Sequence, residues 1–377
     1  MTVYEGESLF ENAMRGDLPG ANESGFDPYR FHQSLDGYAP TALISAPHAA
    51  KALGAAEVLV KDESSRLGLP AFKIMGASWA VARAVERALR ERGLPAPSLD
   101  EGFAALREAA KALGPMTLCC ATDGNHGRAV AHMAKRFGFA AKIFVPDTMA
   151  PARIDAIANE GAEIVQVDGT YDDAIRLAAD EANAQTLVIS DTSWPGYEDV
   201  PLWVVEGYTT IFRELADQLS ARHIPAPDVI AVQMGVGALA AATAPYARSV
   251  GAFLLGVEPI TAACIQHSLR HGEVTFLPGD HPSIMAGLNA GLASEIAWPV
   301  VSRGLDAAIA IDDRRTTQAM RLLAQDGIVA GETGAAGLAG LLAWVDGFGG
   351  DVSGKRVLVI NSEGATNPES YRRIVGE

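Results

Sequence analysis

Short apolar runs alternate with alanine-rich amphipathic segments over most of the 377-residue chain. Continuous runs of Val, Ile and Leu are typical of strands that are buried on both faces, whereas apolar residues spaced three or four apart predict helices. The runs that we interpret as strands are EVLVKD, MTLCCA, AKIFVP, EIVQVD, TLVIS, DVIAVQMG, AFLLGVEP and KRVLVINSEG. The segments that we interpret as helices are the one that carries Lys73, HGRAVAHMAKRFG, ARIDAIANEGA, YDDAIRLAADEANA and ALAAATAPYARSV. This alternation predicts an α/β fold with mostly parallel sheets.

Glycine and proline indicate where several of these elements begin and end. Gly93 and Pro95 predict the end of the Lys73 helix, and Pro151 is typical of a first helical turn. Residues 93–115, which contain GLPAPSLDEG, are interpreted as a surface excursion between elements. Because no linker interrupts the chain, we expect two domains to be interleaved rather than arranged in series.

Composition and charge argue against several classes of function. The chain is 49% hydrophobic and 20% charged, as is usual for a globular protein, and its net charge is −16. There is no basic stripe, which argues against nucleic acid or an anionic membrane as a partner. No apolar run is long enough to cross a bilayer, and no secretory signal is recognised. The three cysteines lack the spacing of a zinc site or a disulfide framework, so we expect no metal and a cytoplasmic location.

Lys73 follows Phe72 at the start of a segment whose other residues are mostly apolar. One interpretation is a lysine whose stem packs against apolar neighbours while its ammonium group reaches water. The other is a lysine in an apolar pocket, where desolvation disfavours the charged form and leaves a nucleophilic amine. Such an amine forms a Schiff base with a carbonyl cofactor or substrate.

A tight turn of sequence TDGN lies between the predicted strand MTLCCA and a helix that begins near His126. Free backbone N–H groups at a helix start favour an anion, such as a carboxylate. Asp123 is unexpected there, because it places a negative charge beside the anion site. A helix N-cap is the structural alternative for Asp123, and a turn residue is the alternative for Asn125.

Two further turns follow predicted strands. A glycine-rich turn before a helix suits a phosphate, because backbone amides and the helix dipole face it. It lacks the features of a nucleotide P-loop and of a dinucleotide fingerprint, so a monophosphate fits best. Asn361 and Ser362 leave a strand at its carboxyl end, where open α/β sheets bind ligands. The residues of the glycine turn are Gly235, Val236, Gly237, Ala238 and Leu239.

Together, these features match a single cofactor. Lys73 would meet an aldehyde, the glycine turn a monophosphate, Asn125 a phenolic oxygen, and a neutral polar side chain a ring nitrogen. We therefore predict pyridoxal 5′-phosphate (PLP), which acts as an electron sink while the protein sets orientation.

The order of Lys73, TDGNHG, GVGA and NSEG resembles the fold-type II, or tryptophan synthase β-like, PLP enzymes. Within that group, KDESSRLGLPAFKIMGASWA, ATDGNHGRAVA, DTSWPGYEDVP and GETGAAGL resemble the diaminopropionate ammonia-lyases. The resemblance implies two interleaved three-layer α/β/α domains with PLP in the cleft between them. The larger, PLP-binding domain would comprise residues 1–84 and 196–377, and the smaller domain residues 85–195. It also implies a homodimer.

The resemblance assigns roles to the cofactor-binding residues. Lys73 would hold PLP through a Schiff base, Asn125 would contact the ring hydroxyl oxygen, and the glycine turn would bind the phosphate. Either Asn361 or Ser362 would face the pyridine nitrogen. Relatives tend to have Ser or Thr across this pair, so Asn361 is a departure from the pattern.

The resemblance also assigns catalytic and substrate-binding residues. Lys73 and Asp123 would be bases on the two faces of the substrate. Asp191 would bind the β-ammonium group, with a turn-forming role as its alternative. The predicted substrate-binding residues are Thr122, Asp123, Asn125, His126 and Asp191.

The implied reaction is the α,β-elimination of 2,3-diaminopropionate, as the D or the L isomer, to pyruvate and ammonia. The alternative is a dehydratase of the same fold that acts on serine, threonine or a 3-hydroxy amino acid. Asp123 and Asp191 argue against it, because a hydroxyl leaving group needs no anionic partner. A β-replacement synthase and a non-catalytic PLP-binding protein are further alternatives.

Overall fold

The computed structural model describes residues 3–20, 27–122, 124–169 and 171–376. Its strands are β1 Ser8–Glu11, β2 Leu43–Ser45, β3 Glu57–Asp62, β4 Thr117–Ala121, β5 Ala140–Pro146, β6 Glu163–Val167, β7 Thr186–Val188, β8 Val229–Gln233, β9 Phe253–Pro259, β10 Ala307–Ile311 and β11 Arg356–Asn361. Its α-helices are α1 Pro28–Gln33, α2 Pro47–Leu53, α3 Lys73–Glu91, α4 Phe103–Ala110, α5 Asn125–Phe137, α6 Pro151–Ala158, α7 Tyr171–Asp180, α8 Asp199–Ala221, α9 Ala238–Val250, α10 Cys264–His271, α11 Trp298–Gly304, α12 Asp313–Gln325, α13 Ala336–Gly347 and α14 Pro368–Val375.

The strands form two sheets. The larger has seven strands in the order β1-β10-β9-β8-β11-β3-β2, and the smaller has four in the order β6-β5-β4-β7. All pairs are parallel except those of the edge strands β1 and β2, which are antiparallel to β10 and β3. Every residue of the central strand β8 is buried, as expected for a strand covered on both faces. The predicted α/β architecture with mostly parallel sheets is confirmed.

The two sheets differ in how the chain builds them. The four-stranded sheet comes from one continuous stretch, residues 117–188, whereas the seven-stranded sheet uses strands from both ends of the chain. We propose that these sheets are the centres of the smaller domain, 85–195, and of the larger domain, 1–84 and 196–377. The continuous helix α3 crosses the proposed boundary and packs against both α5 and α8.

Most of the predicted elements are present with small shifts at their ends. Helix α9 has the predicted bounds, and α6 begins with Pro151 but stops at Ala158, before the predicted end of its segment. The interpretation of residues 93–115 as a surface excursion is wrong. This stretch contains α4, whose Phe103 and Leu106 are buried in the main core.

None of the helices in the described part of the chain is both long enough and apolar enough to cross a membrane.

Candidate active site

The carboxyl ends of the parallel strands converge on one cavity. Lys73 follows β3, Asn125 follows β4, and Asp191 follows β7. The glycine turn follows β8 and Ser362 follows β11. All of them line a cavity of ≈ 770 Å³, as an open α/β sheet places its ligands. A smaller adjoining compartment of ≈ 420 Å³ shares Lys73, Asn125 and Asp191 with this main cavity.

Lys73 is the first residue of α3, and its amine faces a carboxylate. Lys73 Nζ lies 2.7 Å from Asp191 Oδ2, and 21% of the lysine side chain is exposed. The expectation of an apolar pocket around the Lys73 amine is therefore wrong, because this amine forms an ion pair with the Asp191 carboxylate. Phe72 still packs beside it, with its ring centre 5.7 Å from Nζ.

Asp191 is buried beside the amine of Lys73 and the imidazole of His126. Burial alone would raise the pKa of Asp191, but His126 and Lys73 hold it below its ordinary value. His126 Nε2 lies 2.8 Å from the Ile189 carbonyl oxygen, and Nδ1 lies 3.8 Å from Asp191 Oδ2. Asp191 is therefore held as a carboxylate where two compartments meet.

The predicted turn TDGN leads into α5, which begins at Asn125. Thr122 Oγ1 accepts hydrogen bonds from the N–H groups of Gly124 and Gly127, both at 3.0 Å, so this hydroxyl orders the helix start. The Asn125 amide donates to Glu363 Oε2. Thr122, Asn125 and His126 all line the adjoining compartment. Asp123 lies outside the described residues.

The glycine turn lies at the N-terminus of the 13-residue helix α9. Gly237 has φ = +101°, a conformation that favours glycine. A Cβ atom on Gly235 would lie 3.0 Å from the Gly287 carbonyl oxygen, so a larger residue there would crowd the cavity wall. No side chain of the described residues caps α9, and its first N–H groups remain for an anion.

Asn361 and Ser362 point to different surroundings. Asn361 Nδ2 donates to Asp62 Oδ1 at 2.8 Å and to the Val329 carbonyl oxygen at 3.0 Å, and Asn361 does not line the described cavity. Ser362 does line it, and its Oγ accepts a hydrogen bond from Gln233 Nε2 at 2.6 Å. Because Gln233 is the donor, the Ser362 hydroxyl proton is left for a ligand atom.

Three functional candidates were missed by the sequence interpretation: Gln233, Glu363 and Arg153. Gln233 is fixed by hydrogen bonds to the Ile360 and Thr333 carbonyl oxygens, which lie far away in sequence. Glu363 adjoins Ser362 in the NSEG motif and lines both compartments. Arg153 lines the adjoining compartment. The sequence feature that could have identified it is its position as a basic residue in the first turn of the helix that begins at Pro151.

These residues fit PLP. The cavity brings together a lysine amine, an uncapped helix start behind a glycine turn, and a serine hydroxyl fixed by a buried amide. Within the described ranges, no three His, Cys, Asp or Glu side chains are grouped so as to hold a metal ion.

Comparison with known proteins agrees with this geometry. Residues 35–363 match the family described as pyridoxal-phosphate dependent enzyme. The diaminopropionate ammonia-lyase of Escherichia coli strain K12 is 35% identical over 368 residues, which cover 92% of this chain and 90% of the relative. The diaminopropionate ammonia-lyase of Salmonella typhimurium is 33% identical over 93% of this chain and 91% of the relative.

A solved structure extends the likeness to three dimensions. It is the Escherichia coli diaminopropionate ammonia-lyase in complex with an aminoacrylate-PLP azomethine reaction intermediate. The TM-score is 0.85 at 31% identity, and the match covers 98% of this chain and 96% of that chain. The strand-end cavity, its lysine and its glycine turn thus occur in a chain that belongs to the pyridoxal-phosphate dependent enzymes of fold-type II.

Proposed function

We propose that this chain catalyses the PLP-dependent α,β-elimination of 2,3-diaminopropionate to pyruvate and ammonia. The observation that carries the proposal is Asp191, a buried carboxylate 2.7 Å from the amine of Lys73. A substrate with a second ammonium group needs such an anion, whereas serine and threonine do not. The names of the relatives that cover most of this chain support the same substrate.

Four features would hold the cofactor. Lys73 is the covalent attachment point, Asn125 contacts the ring hydroxyl oxygen, and residues 235–239 bind the phosphate. Ser362, with its oxygen fixed by Gln233, donates to the pyridine nitrogen. When bound, PLP supplies an electron sink for the electron pair that the α-proton leaves behind.

The remaining polar residues act on the substrate. Thr122, Asn125 and His126 shape the compartment in which the substrate lies. Asp191 binds the β-ammonium group and orients it for departure. Lys73 takes the α-proton on one face, and Asp123 takes it on the other, which would admit both isomers.

We also propose that the protein is a homodimer in the cytoplasm. The resemblance supports the dimer, and three buried free cysteines are compatible with a reducing compartment. Light scattering on the purified protein tests the first point, and fractionation of producing cells tests the second.

The direct test measures pyruvate or the corresponding 2-oxo acid formed by purified holoenzyme from D- and L-diaminopropionate, serine and threonine. We expect both diaminopropionate isomers to have a higher kcat/KM than either hydroxy amino acid. Lys73→Ala is the control, and it should abolish turnover together with the visible absorbance band of the lysine-bound cofactor.

Other outcomes would select the alternatives. A higher kcat/KM for serine or threonine would identify a dehydratase. Diversion of the substrate carbon into a new product by added indole or sulfide would identify a β-replacement synthase. An absorbance band without turnover of any amino acid would leave a non-catalytic PLP-binding protein.

A further inference from the structure

Glu363 is a buried carboxyl group for which the proposed reaction has no role. It lies two residues after β11, and 4% of its surface is exposed. Its two oxygens accept hydrogen bonds from different segments of the chain. Oε1 accepts from the Thr333 N–H at 3.2 Å, and Oε2 accepts from the Asn125 side-chain amide. Because Glu363 lines both compartments, it connects two segments that face the cavity.

The backbone around Glu363 is closely packed. The Gly331 N–H donates to the Glu363 carbonyl oxygen at 2.9 Å. A Cβ atom on Gly331 would collide with the Gly364 carbonyl oxygen, and one on Gly334 would collide with the carbonyl oxygen of Glu363. Both glycines of the GETG motif thus lie directly against the backbone at Glu363. This contact fixes the place from which its side chain extends.

An ionised carboxyl group only accepts hydrogen bonds, so it determines which end of a neighbouring amide faces it. Asn125 turns its Nδ2 atom towards Glu363. An amide nitrogen carries two N–H groups, and the second is left for a ligand. Burial raises the pKa of Glu363, but the hydrogen bond with Thr333 and the charge of Arg153 oppose that rise. The hydrogen bond from Asn125 acts in the same direction and favours the ionised acceptor.

We propose that Glu363 is a positioning residue, which orients the Asn125 amide so that its second N–H donates to the ring hydroxyl oxygen of PLP. The inference deepens the proposed function and rests on its assignment of Asn125. Asn125 follows a strand of the smaller sheet and Glu363 a strand of the larger one, so their hydrogen bond joins the two sides of the cavity. Gln233 fixes Ser362 in a comparable way, and both polar contacts with the cofactor ring would then depend on a second buried side chain.

The absorbance of bound PLP provides a measurement that needs no substrate. A hydrogen-bond donor at the ring oxygen favours the form of the lysine-bound cofactor in which that oxygen is ionised. This form absorbs at longer wavelength than the form in which the oxygen carries a proton. The ratio of the long-wavelength to the short-wavelength band in holoenzyme therefore reports on the N–H group of Asn125.

The ratio is measured in the wild type, Glu363→Gln, Asn125→Ala and the double variant. A glutamine at position 363 can present its NH2 group, which allows the Asn125 amide to turn its oxygen towards it. We expect Glu363→Gln to lower the ratio by about 3- to 10-fold, the scale of one hydrogen bond, and Asn125→Ala to lower it at least as much. In the double variant, Glu363→Gln should add nothing to the effect of Asn125→Ala. Additive effects on the logarithm of the ratio would overturn the proposal.

Glu332→Gln is the matched control. Glu332 is a buried glutamate of the same GETG motif, with 7% of its surface exposed, and its Oε1 accepts a hydrogen bond from Ser370 Oγ at 2.7 Å. It lines neither of the two compartments described above. We expect this variant to keep the wild-type ratio. A shift as large as that of Glu363→Gln would also overturn the proposal, because it would show a general disturbance of the motif.

Equilibrium dialysis of the holoenzymes against PLP gives a second measurement, and the dissociation constants should show the same lack of additivity. Melting temperatures monitor folding. If Glu363→Gln does not fold, Glu363→Asp replaces it, since aspartate keeps the charge but withdraws it by one methylene group, and the ratio should fall in the same direction.

Turnover separates this inference from the proposed function. If wild-type enzyme acts on serine and not on diaminopropionate, the proposed function fails, while the band ratios of the variants still test Glu363. If wild-type enzyme acts on diaminopropionate and Glu363→Gln keeps the wild-type ratio, only the role of Glu363 is wrong.

Discussion

At the residue scale, the proposed chemistry depends on two bases that face the substrate from opposite sides. Lys73 lines both compartments, and Thr122 and Gly124, the sequence neighbours of Asp123, line the adjoining one. Asp123 lies between these two residues in the sequence, and we propose it as the second base. A proton taken from each face by a different group would let one site accept either isomer of a substrate.

Asp123→Asn should lower kcat for D-diaminopropionate by about 100-fold or more, since a general base contributes on that scale, and should affect the L isomer much less. Pyruvate formation from each pure isomer measures the effect. Asp191→Asn provides the contrast, because loss of a β-ammonium partner should impair both isomers. If Asp123→Asn lowered kcat equally for the two isomers, the two-base hypothesis would be wrong.

The residue scale also shows what a sequence pattern can and cannot reveal about a site. Lys73, Asn125, Asp191 and Ser362 were identifiable because each follows a predicted strand, and strand ends meet at one edge. The ion pair between Lys73 and Asp191 was not, because it joins residues 118 positions apart. Gln233 was hidden within a strand, since its importance comes only from its distant hydrogen-bond partners.

At the scale of elements, the buried carboxyl group of Glu258 orders the helix beside the glycine turn. Glu258, at the end of β9, accepts hydrogen bonds from the N–H groups of Ile265 at 2.7 Å and Gln266 at 2.8 Å, in the first turn of α10. Cys264 Sγ lies 3.6 Å from the Gly235 carbonyl oxygen. Because the Glu258 side chain caps the N-terminus of α10, it fixes α10 against the turn that would bind phosphate.

Burial raises the pKa of Glu258 to about 8, although the two backbone N–H groups oppose the rise. A raised pKa means that the folded state prefers the neutral acid, so this contribution to stability is complete below the ordinary glutamate pKa. It is lost as the pH rises to about 8. Glu258→Gln, which does not ionise, should reduce the decline in unfolding midpoint between about pH 5 and pH 8.

Denaturant unfolding at several pH values measures the decline, and Glu5→Gln, at an exposed carboxylate, is the control. The change in unfolding midpoint with pH is compared rather than the midpoint itself. Glu258→Gln replaces one of the two acceptor oxygens by an NH2 group, which alters stability at every pH. Identical pH slopes for wild type and Glu258→Gln would contradict the assignment.

Several elements could not be predicted from local sequence patterns. The edge strands β1 and β2 have four and three residues, and they are ordered by antiparallel pairing with β10 and β3, which are remote in sequence. Helix α4 has apolar residues at helical spacing, namely Phe103, Leu106 and Ala110. The prolines and glycines just before it are typical of a loop, and a loop was therefore predicted. Helices α3, α5 and α9 were predictable from their own sequences, whereas the 23-residue helix α8 and the helices α12 and α13 were not predicted.

At the scale of the whole molecule, a buried ion network joins α8 to the chain that leads to Lys73. Glu214 Oε2 lies 2.7 Å from Lys61 Nζ, and Glu214 Oε1 lies 2.7 Å from Arg66 Nη1. Arg66 Nη2 also lies 2.6 Å from Glu63 Oε1. These four side chains are almost completely buried, so the network fixes the segment between β3 and α3, which leads to Lys73.

Arg66→Met should destabilise the fold by about 3–5 kcal/mol, because it leaves two buried carboxylates short of a partner. Urea unfolding measures the change. The control is Lys111→Met, which breaks an exposed pair with Glu108 and should cost at most about 1 kcal/mol. If the two variants lost the same free energy of unfolding, the network would not hold the segment in the way proposed.

Strand β11 lies between β3 and β8 in the middle of the larger sheet, although it is formed by residues 356–361. As the ribosome makes the chain, β3 and β8 emerge long before the strand that fills the gap between them. Residues 117–188, in contrast, supply all of the smaller sheet in one stretch, which can close while translation continues. The nascent protein must therefore keep an open gap, with unpaired strand edges on both sides, until residues 356–361 have been synthesised.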